Sequence, residues 1–334
     1  MGGWGRDWAS HVIPELPEVE LVGCVDPNPV ALRLLRDQVP IPADRCFASV
    51  EAGLEAAQPD AVLVTTLLPG HVPVARAALA AGRHVLVEKP FAPSLAEARQ
   101  LVGLASERGL VLMVSQNYRF FPAVREVARL VKQALLGELH QVWIDFSRPS
   151  PVGASGPNPH HGYDQPLLVD MSIHHFDLLR MILGREPVRV SCEAWNPPWS
   201  GFSGPSAAAA SIVFEGGPVV SYRASWIGAG PPTPWAGKWR MDFQRGEVLW
   251  TSRGDDNSLA DQVMVRRRGG EPKPVALKVM RRTDRCGSLA EFVGALRENR
   301  EPESSGRDNL GSLALVAAAV ESATRRETVK LPRD

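Results

Sequence analysis

Short apolar runs alternate with helical patterns along residues 1–120 of this chain. The apolar runs are almost continuously hydrophobic, as expected for parallel strands that helices cover on both faces. Strands are predicted at residues 20–25, 45–48, 61–66, 84–88 and 111–115. Helices are predicted around them at residues 7–13, 30–38, 50–57, 72–80 and 95–108. This order of strands and helices predicts an α/β domain built on a parallel sheet.

The pattern changes after residue 120. A helix is predicted at residues 122–135, a strand at 139–147 and a second helix at 167–183. Apolar and polar residues then alternate, which indicates an antiparallel sheet with one face packed on helices. The alternating stretches are residues 188–194, 207–214, 219–226, 239–244, 248–251 and 263–267, followed by helices at 288–297 and 309–325. The sequence thus predicts two domains, residues 1–120 and an α+β domain with an open, mostly antiparallel sheet at residues 121–334.

Charge and cysteine usage narrow the class of protein. Lysine plus arginine (37) balance aspartate plus glutamate (37), which gives no general electrostatic reason to expect nucleic acid or a membrane as a partner. The cysteines, at positions 24, 46, 192 and 286, form no Cys-x-x-Cys pair, as expected for reduced thiols in the cytoplasm. No apolar run approaches the roughly 18 residues of a membrane span, and residues 1–7 contain no signal-peptide hydrophobic region. We therefore expect a cytoplasmic protein.

The tripeptide Glu88-Lys89-Pro90 carries the first chemical signal. It closes the predicted strand at residues 84–88, and open α/β sheets bind their ligands at the carboxyl ends of strands. Pro90 fixes its own φ and makes the chain turn, which holds Lys89 in place. A half-buried lysine is costly unless it is paired or used, whereas a surface lysine at a strand-to-loop junction needs no function. For the tripeptide alone, both interpretations are open.

A glycine motif at the start of the chain carries the second signal. Gly2 and Gly5 precede a helical pattern, and Asp26 follows 21 residues after Gly5, at the end of the next predicted strand. In the dinucleotide-binding fingerprint, glycines at this spacing let the backbone approach the pyrophosphate, and the acidic side chain binds the ribose. The first glycine of the fingerprint and the strand before it are missing.

Two explanations of the missing strand are open: a start codon assigned too far downstream, or a natural truncation. Without a central strand, the neighbouring strands have unpaired backbone groups, which is costly. We expect a protein that begins at Met1 to be unstable and to bind cofactor poorly. Adding the residues encoded upstream tests this expectation.

The predicted helix at residues 167–183 carries the third signal. Asp170, His174 and Asp177 are spaced at i, i+4 and i+7 and share one helix face. A carboxylate one turn from a histidine can orient the imidazole, and a histidine can exchange protons near neutral pH. A surface ion pair or a core histidine are the alternatives. A metal site is less favoured, because His174 and the adjacent His175 point about 100° apart on a helix.

Together these motifs resemble the glucose–fructose oxidoreductase / inositol dehydrogenase / rhizopine-catabolism family (Gfo/Idh/MocA) over essentially the whole chain. Each match is weak alone, and their order and spacing make the resemblance specific. Ser172 departs from the family, where glycine is frequent at this position. The matching segments are the residual glycine motif, Thr65-Thr66 with Pro69 and His71, Glu88-Lys89-Pro90, Asn117-Tyr118-Arg119-Phe120, Asp170-x-x-x-His174-x-x-Asp177 and residues 312–322.

The resemblance implies a Rossmann domain, here lacking its first strand, and dimers or tetramers joined through the sheet of the second domain. It implies NAD(P)-dependent oxidation or reduction of a carbinol or carbonyl on a sugar, cyclitol or related polyol. By this resemblance Lys89 contacts the substrate hydroxyl and the cofactor ribose, His174 is the general acid/base, and Asp170 holds the substrate or the imidazole. The cofactor-binding residues that the resemblance implies are Gly2, Trp4, Gly5, Asp26, Thr65, Thr66, Pro69, His71, Glu88, Lys89 and Asn117.

NAD is the expected cofactor. The carboxylate of Asp26 repels a 2′-phosphate, and Pro27 and Asn28 follow it rather than an arginine that could receive one. NADP is the less favoured alternative, since Arg33 and Arg36 are not far away in sequence.

The sequence is also compatible with other functions. A non-catalytic protein of the same fold could sense a dinucleotide or sugar, although a sensor has no need of the set Lys89, Asp170 and His174. A metal-dependent hydrolase is a third class. His160, His161 and Tyr163 could reach substrate hydroxyls from the loop before the Asp170 helix. The tryptophans after residue 194 are expected to pack the sheet or an interface rather than to stack on sugar rings.

Overall fold

The computed structural model describes residues 1–150, 163–255 and 261–332, so His160 and His161 lie outside the described residues. The chain divides into two compact units. The first unit contains Met1–Asn117 and Arg282–Leu310, and the second contains Tyr118–Arg281 and Gly311–Asp334. The first crossing lies close to the predicted boundary at residue 120. The structure adds the segment 282–310 to the first unit, so the chain passes between the units three times.

The first unit contains the predicted parallel strands. They form two parallel sheets, one of β1 and β2 and one of β3, β4 and β5, and no ladder joins the two sheets within the described residues. The predicted strand at residues 20–25 is shortened to its last two residues, because only these pair with β2. The strands are β1 (Cys24–Val25), β2 (Cys46–Phe47), β3 (Ala61–Val64), β4 (His84–Glu88) and β5 (Leu112–Ser115).

Helices follow the strands of the first unit in the predicted order. Three of these helices have a polar N-cap residue. Asn28, Ser49 and Ser94 each accept a hydrogen bond from a backbone N–H of the first turn. The helix predicted at residues 7–13 instead starts at Gly3 and continues from Trp8 to Val12 as a π-helix. The helices are α1 (Gly3–Asp7), α2 (Pro29–Arg36), α3 (Val50–Ala57), α4 (Leu68–Ala80) and α5 (Leu95–Glu107).

The second unit is built on one mixed sheet of nine strands among the described residues. Its strands are β6 (Leu139–Ser147), β7 (Pro187–Trp195), β8 (Ala207–Phe214), β9 (Val219–Ser225), β10 (Lys238–Phe243), β11 (Gly246–Thr251), β12 (Gln262–Arg267), β13 (Lys273–Pro274) and β14 (Val329–Lys330). Their order is β13-β12-β11-β10-β6-β9-β8-β7-β14, and only the pair of β6 and β9 is parallel. The predicted mostly antiparallel sheet is therefore confirmed.

Helices pack on the buried face of this sheet. They are α6 (Pro122–Lys132) and α7 (Ile173–Leu183), and a π-helical stretch, Leu167–Ser172, leads into α7. Alternation along β6 buries Val142, Ile144 and Phe146, which join the core of the unit.

Two late helices, α8 (Asp284–Glu298) and α9 (Gly306–Arg325), begin a few residues earlier than the apolar pattern predicts. The short edge strands β13 and β14 are absent from the prediction because two residues carry no periodicity.

Candidate functional site

Glu88 is the last residue of β4 and the first residue of the tripeptide Glu88-Lys89-Pro90. Its side chain is only 4% exposed, and its Oε1 accepts a hydrogen bond from Trp8 Nε1 at 2.8 Å. Its Oε2 accepts from the backbone N–H of Lys89 at 3.1 Å. Burial raises the pKa of Glu88, and the hydrogen bonds from Trp4 and Trp8 and the charge of Lys89 oppose that rise. This carboxyl group thereby links the first helical segment of the chain to the backbone of Lys89.

His71 supports the same loop from α4. The Lys89–Pro90 peptide bond is cis, and His71 Nδ1 lies 2.7 Å from the carbonyl oxygen of Pro90. His71 Nε2 lies 3.0 Å from the carbonyl oxygen of Thr66. Burial lowers the pKa of His71, and the contacts of the ring with backbone carbonyls oppose that fall. His71 therefore connects the segments that follow β3 and β4.

Gly5 of the glycine motif packs directly against Thr65, another predicted cofactor-binding residue. A Cβ atom added at Gly5 would lie 2.7 Å from Thr65 Oγ1, so only glycine fits here without movement. A Cβ atom at Gly70, next to Pro69 in the first turn of α4, would meet Thr66 Oγ1 at the same distance. Gly2 has open space around it. Such a close backbone approach after a strand is what a dinucleotide-binding loop requires.

Asp26 directly follows β1, as predicted. One carboxylate oxygen accepts from the backbone N–H of Asn28 at 2.8 Å, and the other pairs with the amino group of Met1. Asn28 in turn caps α2 by accepting from the backbone N–H of Val30 at 2.9 Å. Asp26 is thus fixed in a turn that orients its carboxylate at the strand end.

The returning segment 282–310 supplies neighbours that the sequence did not reveal. Asn117 Nδ2 donates to the carboxylate of Asp284, and Arg285 forms an ion pair with Asp7. The Arg285 guanidinium lies 4.3 Å from the ring centroid of Trp4, whose side chain is 46% exposed. No motif marks these late residues, because their partners are far away along the chain.

In the second unit, His174 stacks on Tyr118. The two ring centroids are 3.9 Å apart, the ring planes differ by 8°, and both side chains are buried. The guanidinium of Arg253 lies 4.6 Å from the Tyr118 ring centroid, and its Nη1 donates to the Tyr118 hydroxyl at 2.8 Å. Asp170 is partly exposed and lies in the π-helical stretch before α7. The sequence analysis contained Tyr118 only as part of a matching segment, without a role, and did not single out Arg253.

His175, next to His174, is a core histidine. Its Nε2 lies 3.1 Å from the carbonyl oxygen of Trp235, and its Nδ1 lies 2.9 Å from the Tyr222 hydroxyl. The Tyr222 hydroxyl also forms a hydrogen bond with Ser172 Oγ at 2.8 Å. Ser172, which stands where glycine is frequent in the family, therefore has a buried hydrogen-bond partner. Burial lowers the pKa of His175 to about 4. The neutral ring donates from Nε2 to the carbonyl and accepts at Nδ1.

Asp177, which shares the predicted face with Asp170 and His174, binds protein groups instead. Its carboxylate accepts from Arg119 Nε at 2.7 Å, from Arg119 Nη2 at 2.6 Å and from Ser312 Oγ at 2.8 Å. Arg119 and Asp177 are both almost fully buried. This pair ties the start of the second unit to α7 and α9.

Three of the six tryptophans after residue 194 lie in the core. Trp226, Trp239 and Trp250 are buried, and the rings of Trp239 and Trp250 stack at 4.5 Å. Trp195 and Trp199 are exposed.

Among the described residues, no three His, Cys, Asp or Glu side chains cluster to hold a metal ion. No helix in this part of the chain is long and apolar enough to cross a membrane.

Comparison with known proteins gives two matches to family profiles. The profile described as "Oxidoreductase family, NAD-binding Rossmann fold" (GFO_IDH_MocA) matches residues 1–116. The profile of the GFO/IDH/MocA C-terminal domain matches residues 124–248. Both lie in the order expected from the motifs.

Individual proteins are similar over most of their length. D-apiose dehydrogenase from Paraburkholderia graminis is 27% identical over 96% of this chain and 85% of its own. Inositol 2-dehydrogenase from Rhizobium meliloti is 26% identical over 86% of this chain and 84% of its own. The crystal structure of an oxidoreductase from Agrobacterium radiobacter with NAD+, L-tartaric acid and magnesium has the same fold, with a TM-score of 0.85, 22% identity and coverage of 98% and 95%.

Proposed function

The chain belongs to the Gfo/Idh/MocA family of NAD-binding oxidoreductases, and from this premise we propose that it transfers a hydride between NAD and a CH–OH carbon of a sugar, cyclitol or related polyol. The observation that carries the proposal is the position of Glu88. One carboxyl group binds both Trp8, which follows the glycine motif, and the backbone of Lys89. The cofactor loop and the lysine are thereby held by one buried group.

The residues of the first unit fit a dinucleotide. Gly5 has the close approach to Thr65 that a side chain would prevent, and Asp26 offers a carboxylate at a strand end. Bound NAD would supply the hydride acceptor or donor. The residues that would hold it are Gly2, Trp4, Gly5, Asp26, Thr65, Thr66, Pro69, His71, Glu88, Lys89 and Asn117. In this set His71 acts through the backbone carbonyls it bridges.

Three side chains would perform the protein's part of the chemistry. Lys89 binds the substrate hydroxyl and polarises it. His174 removes the hydroxyl proton as the hydride leaves the carbon, and returns a proton in the reverse direction. Asp170 holds a substrate hydroxyl or the imidazole. The names of the two relatives, one acting on D-apiose and one on inositol, support a polyhydroxylated substrate.

A panel of sugars, cyclitols and polyols assayed with NAD and NADP tests the proposal. We expect turnover with at least one compound and a preference for NAD. Lys89→Ala and His174→Ala are expected to lower kcat/KM by about 10²–10⁴-fold, the usual contribution of an acid/base group. The exposed residues Lys132 and His140 give matched controls, Lys132→Ala and His140→Ala, which should retain wild-type activity. A protein that binds NAD and turns over no compound would instead be a sensor.

A further inference from the structure

We propose that Tyr118, itself held by Arg253, is a positioning residue that fixes the plane of the His174 imidazole. The inference rests on the proposed acid–base role of His174 and extends it to Tyr118, which the motifs contain without a role, and to Arg253, which lies outside every motif. All three belong to the second unit.

The contact between the two rings is a parallel stack. A centroid separation of 3.9 Å with an interplanar angle of 8° places the faces of the rings against each other. Histidine has a broad torsional preference about its second side-chain bond, so its ring plane must be fixed by neighbours. His174 is 4% exposed and Tyr118 is 3% exposed, so solvent does not separate the rings. The phenol ring therefore restricts the rotation of the imidazole.

Arg253 holds the phenol ring in turn. Its guanidinium carbon lies 4.6 Å from the Tyr118 centroid and 5.5 Å from the Trp235 centroid. Its Nη1 also donates to the Tyr118 hydroxyl at 2.8 Å. An arginine over an aromatic ring is attracted to the electrons of the ring face, and the hydrogen bond adds a fixed direction. Tyr118 is thus held by its ring and by its hydroxyl.

The backbone of Arg253 is held in an unusual conformation. Its φ is +58°, in the left-handed region that residues other than glycine seldom adopt. The backbone N–H of Trp235 donates to the Arg253 carbonyl at 2.7 Å, and that of Ala236 donates to the Ser252 carbonyl at 3.2 Å. Such a conformation persists where the surroundings hold it, and it is common at functional sites.

The orientation of His174 matters because proton transfer needs a short contact. The imidazole nitrogen must come within about 2.6–3.2 Å of the reacting hydroxyl. An error of about 1 Å in the placement of a catalytic group can cost about 10²-fold in rate. Loss of the stacking ring should therefore lower kcat, whereas the affinity for NAD, which depends on the first unit, should stay the same.

The test combines three substitutions with kinetics, NMR spectroscopy and calorimetric titration of NAD. Tyr118→Leu removes the ring, Tyr118→Phe keeps the ring and removes the hydroxyl, and Arg253→Gln removes the guanidinium. Arg240→Gln is the matched control, because Arg240 lies over a different ring, that of Trp143, at 4.8 Å. Kinetics use the polyol that the substrate panel identifies. NMR spectra of protein with labelled histidines follow the His174 ring, assigned by its loss in His174→Ala.

We expect Tyr118→Leu to lower kcat about 10-fold or more with an unchanged Kd for NAD, measured by titration calorimetry, and Tyr118→Phe to restore most of the rate. Arg253→Gln should fall between them, and Arg240→Gln should match the wild type. The His174 ring protons should be shifted upfield by the phenol ring current in the wild type and in Tyr118→Phe, and not in Tyr118→Leu. Circular dichroism checks that each variant is folded.

Contrary results distinguish a failure of this inference from a failure of the proposed function on which it rests. A fully active Tyr118→Leu beside an inactive His174→Ala would overturn the positioning role alone. The absence of the upfield shift in the wild type would do the same. A fully active His174→Ala would overturn the acid–base role, and the positioning role with it. Should Tyr118→Leu fail to fold, an Arg253→Gln variant with wild-type kcat and an unchanged His174 shift would overturn the part assigned to Arg253.

Discussion

At the scale of single residues, α7 carries three neighbouring ionisable side chains with three different surroundings. His174 stacks on Tyr118, His175 is enclosed in the core, and Asp177 binds Arg119 and Ser312. A buried carboxylate is tolerated because charged and polar donors satisfy it. The spacing of the residues along the helix did not distinguish these surroundings.

Asp177→Ala is expected to destabilise the protein strongly. It would leave the guanidinium of Arg119 buried without its carboxylate, which typically costs about 3–5 kcal/mol of unfolding free energy. Glu321→Gln is the matched control, since Glu321 pairs with Arg325 on the surface, with the two side chains 42% and 65% exposed. That change should cost about 0.5 kcal/mol or less. Urea unfolding measures both, and equal effects would contradict the prediction.

The protein should lose stability in acid partly through His175. The unfolded state takes up a proton near pH 6.5, whereas the folded state resists protonation down to about pH 4 because the ring is buried. Between these values the unfolded state binds more protons, so the free energy of unfolding falls as pH falls. The shift corresponds to about 3 kcal/mol.

Substitution isolates this contribution. His175→Gln removes the titrating group, so the stability of this variant should depend less steeply on pH between 6.5 and 4. His140→Gln, at an exposed position on β6, should keep the wild-type slope. Urea unfolding at a series of pH values gives the slopes. Identical slopes for wild type and His175→Gln would show that His175 is protonated in the folded state.

At the scale of elements, the first helical segment packs closely on the loop after β3. Gly5 in α1 permits the contact with Thr65, and Trp8 in the following π-helix donates to Glu88 at the end of β4. The segment therefore contacts two strand ends of one sheet. The sequence predicted a helix here, but the position of its start and the π-helical turns depend on these contacts.

Gly5→Ala should disturb this packing. The new methyl group would lie 2.7 Å from Thr65 Oγ1, and relieving such crowding typically costs about 1–3 kcal/mol. We expect lower stability and weaker NAD binding, measured by urea unfolding and titration calorimetry. Gly3→Ala is the matched control, because nothing lies within 4 Å of the new atom. If crowding is the cause, Thr65→Ala added to Gly5→Ala should recover stability; no recovery would point to another cause.

At the scale of the whole molecule, each unit combines distant parts of the chain. The segment 282–310 completes the first unit by pairing Ser305 with Met113 on β5 and by a hydrogen bond from Val114 N to the Ser304 carbonyl at 2.9 Å. The second unit likewise includes residues after 310, where Ser322 Oγ accepts from the backbone N–H of Cys192 at 2.9 Å. Each unit therefore consists of two segments that are separated along the sequence.

The sequence by itself determined the local features of this protein. Continuous apolar runs identified the parallel strands, alternation identified the antiparallel sheet, and the tripeptide at residues 88–90 was correctly placed at a strand end. These features are readable because periodicity and turn chemistry act between residues close along the chain. The order and spacing of the motifs were also enough to recognise the family.

The tertiary structure decided which side chains meet. Trp8 and Glu88 are 80 residues apart, Arg119 and Asp177 are 58 apart, and Tyr118 and Arg253 are 135 apart. No local pattern links such pairs, because each contact arises only when separate elements pack together. The same packing gives the adjacent residues His174 and His175 different surroundings. The ring of His175 is enclosed in the core, whereas the ring of His174 stacks on Tyr118.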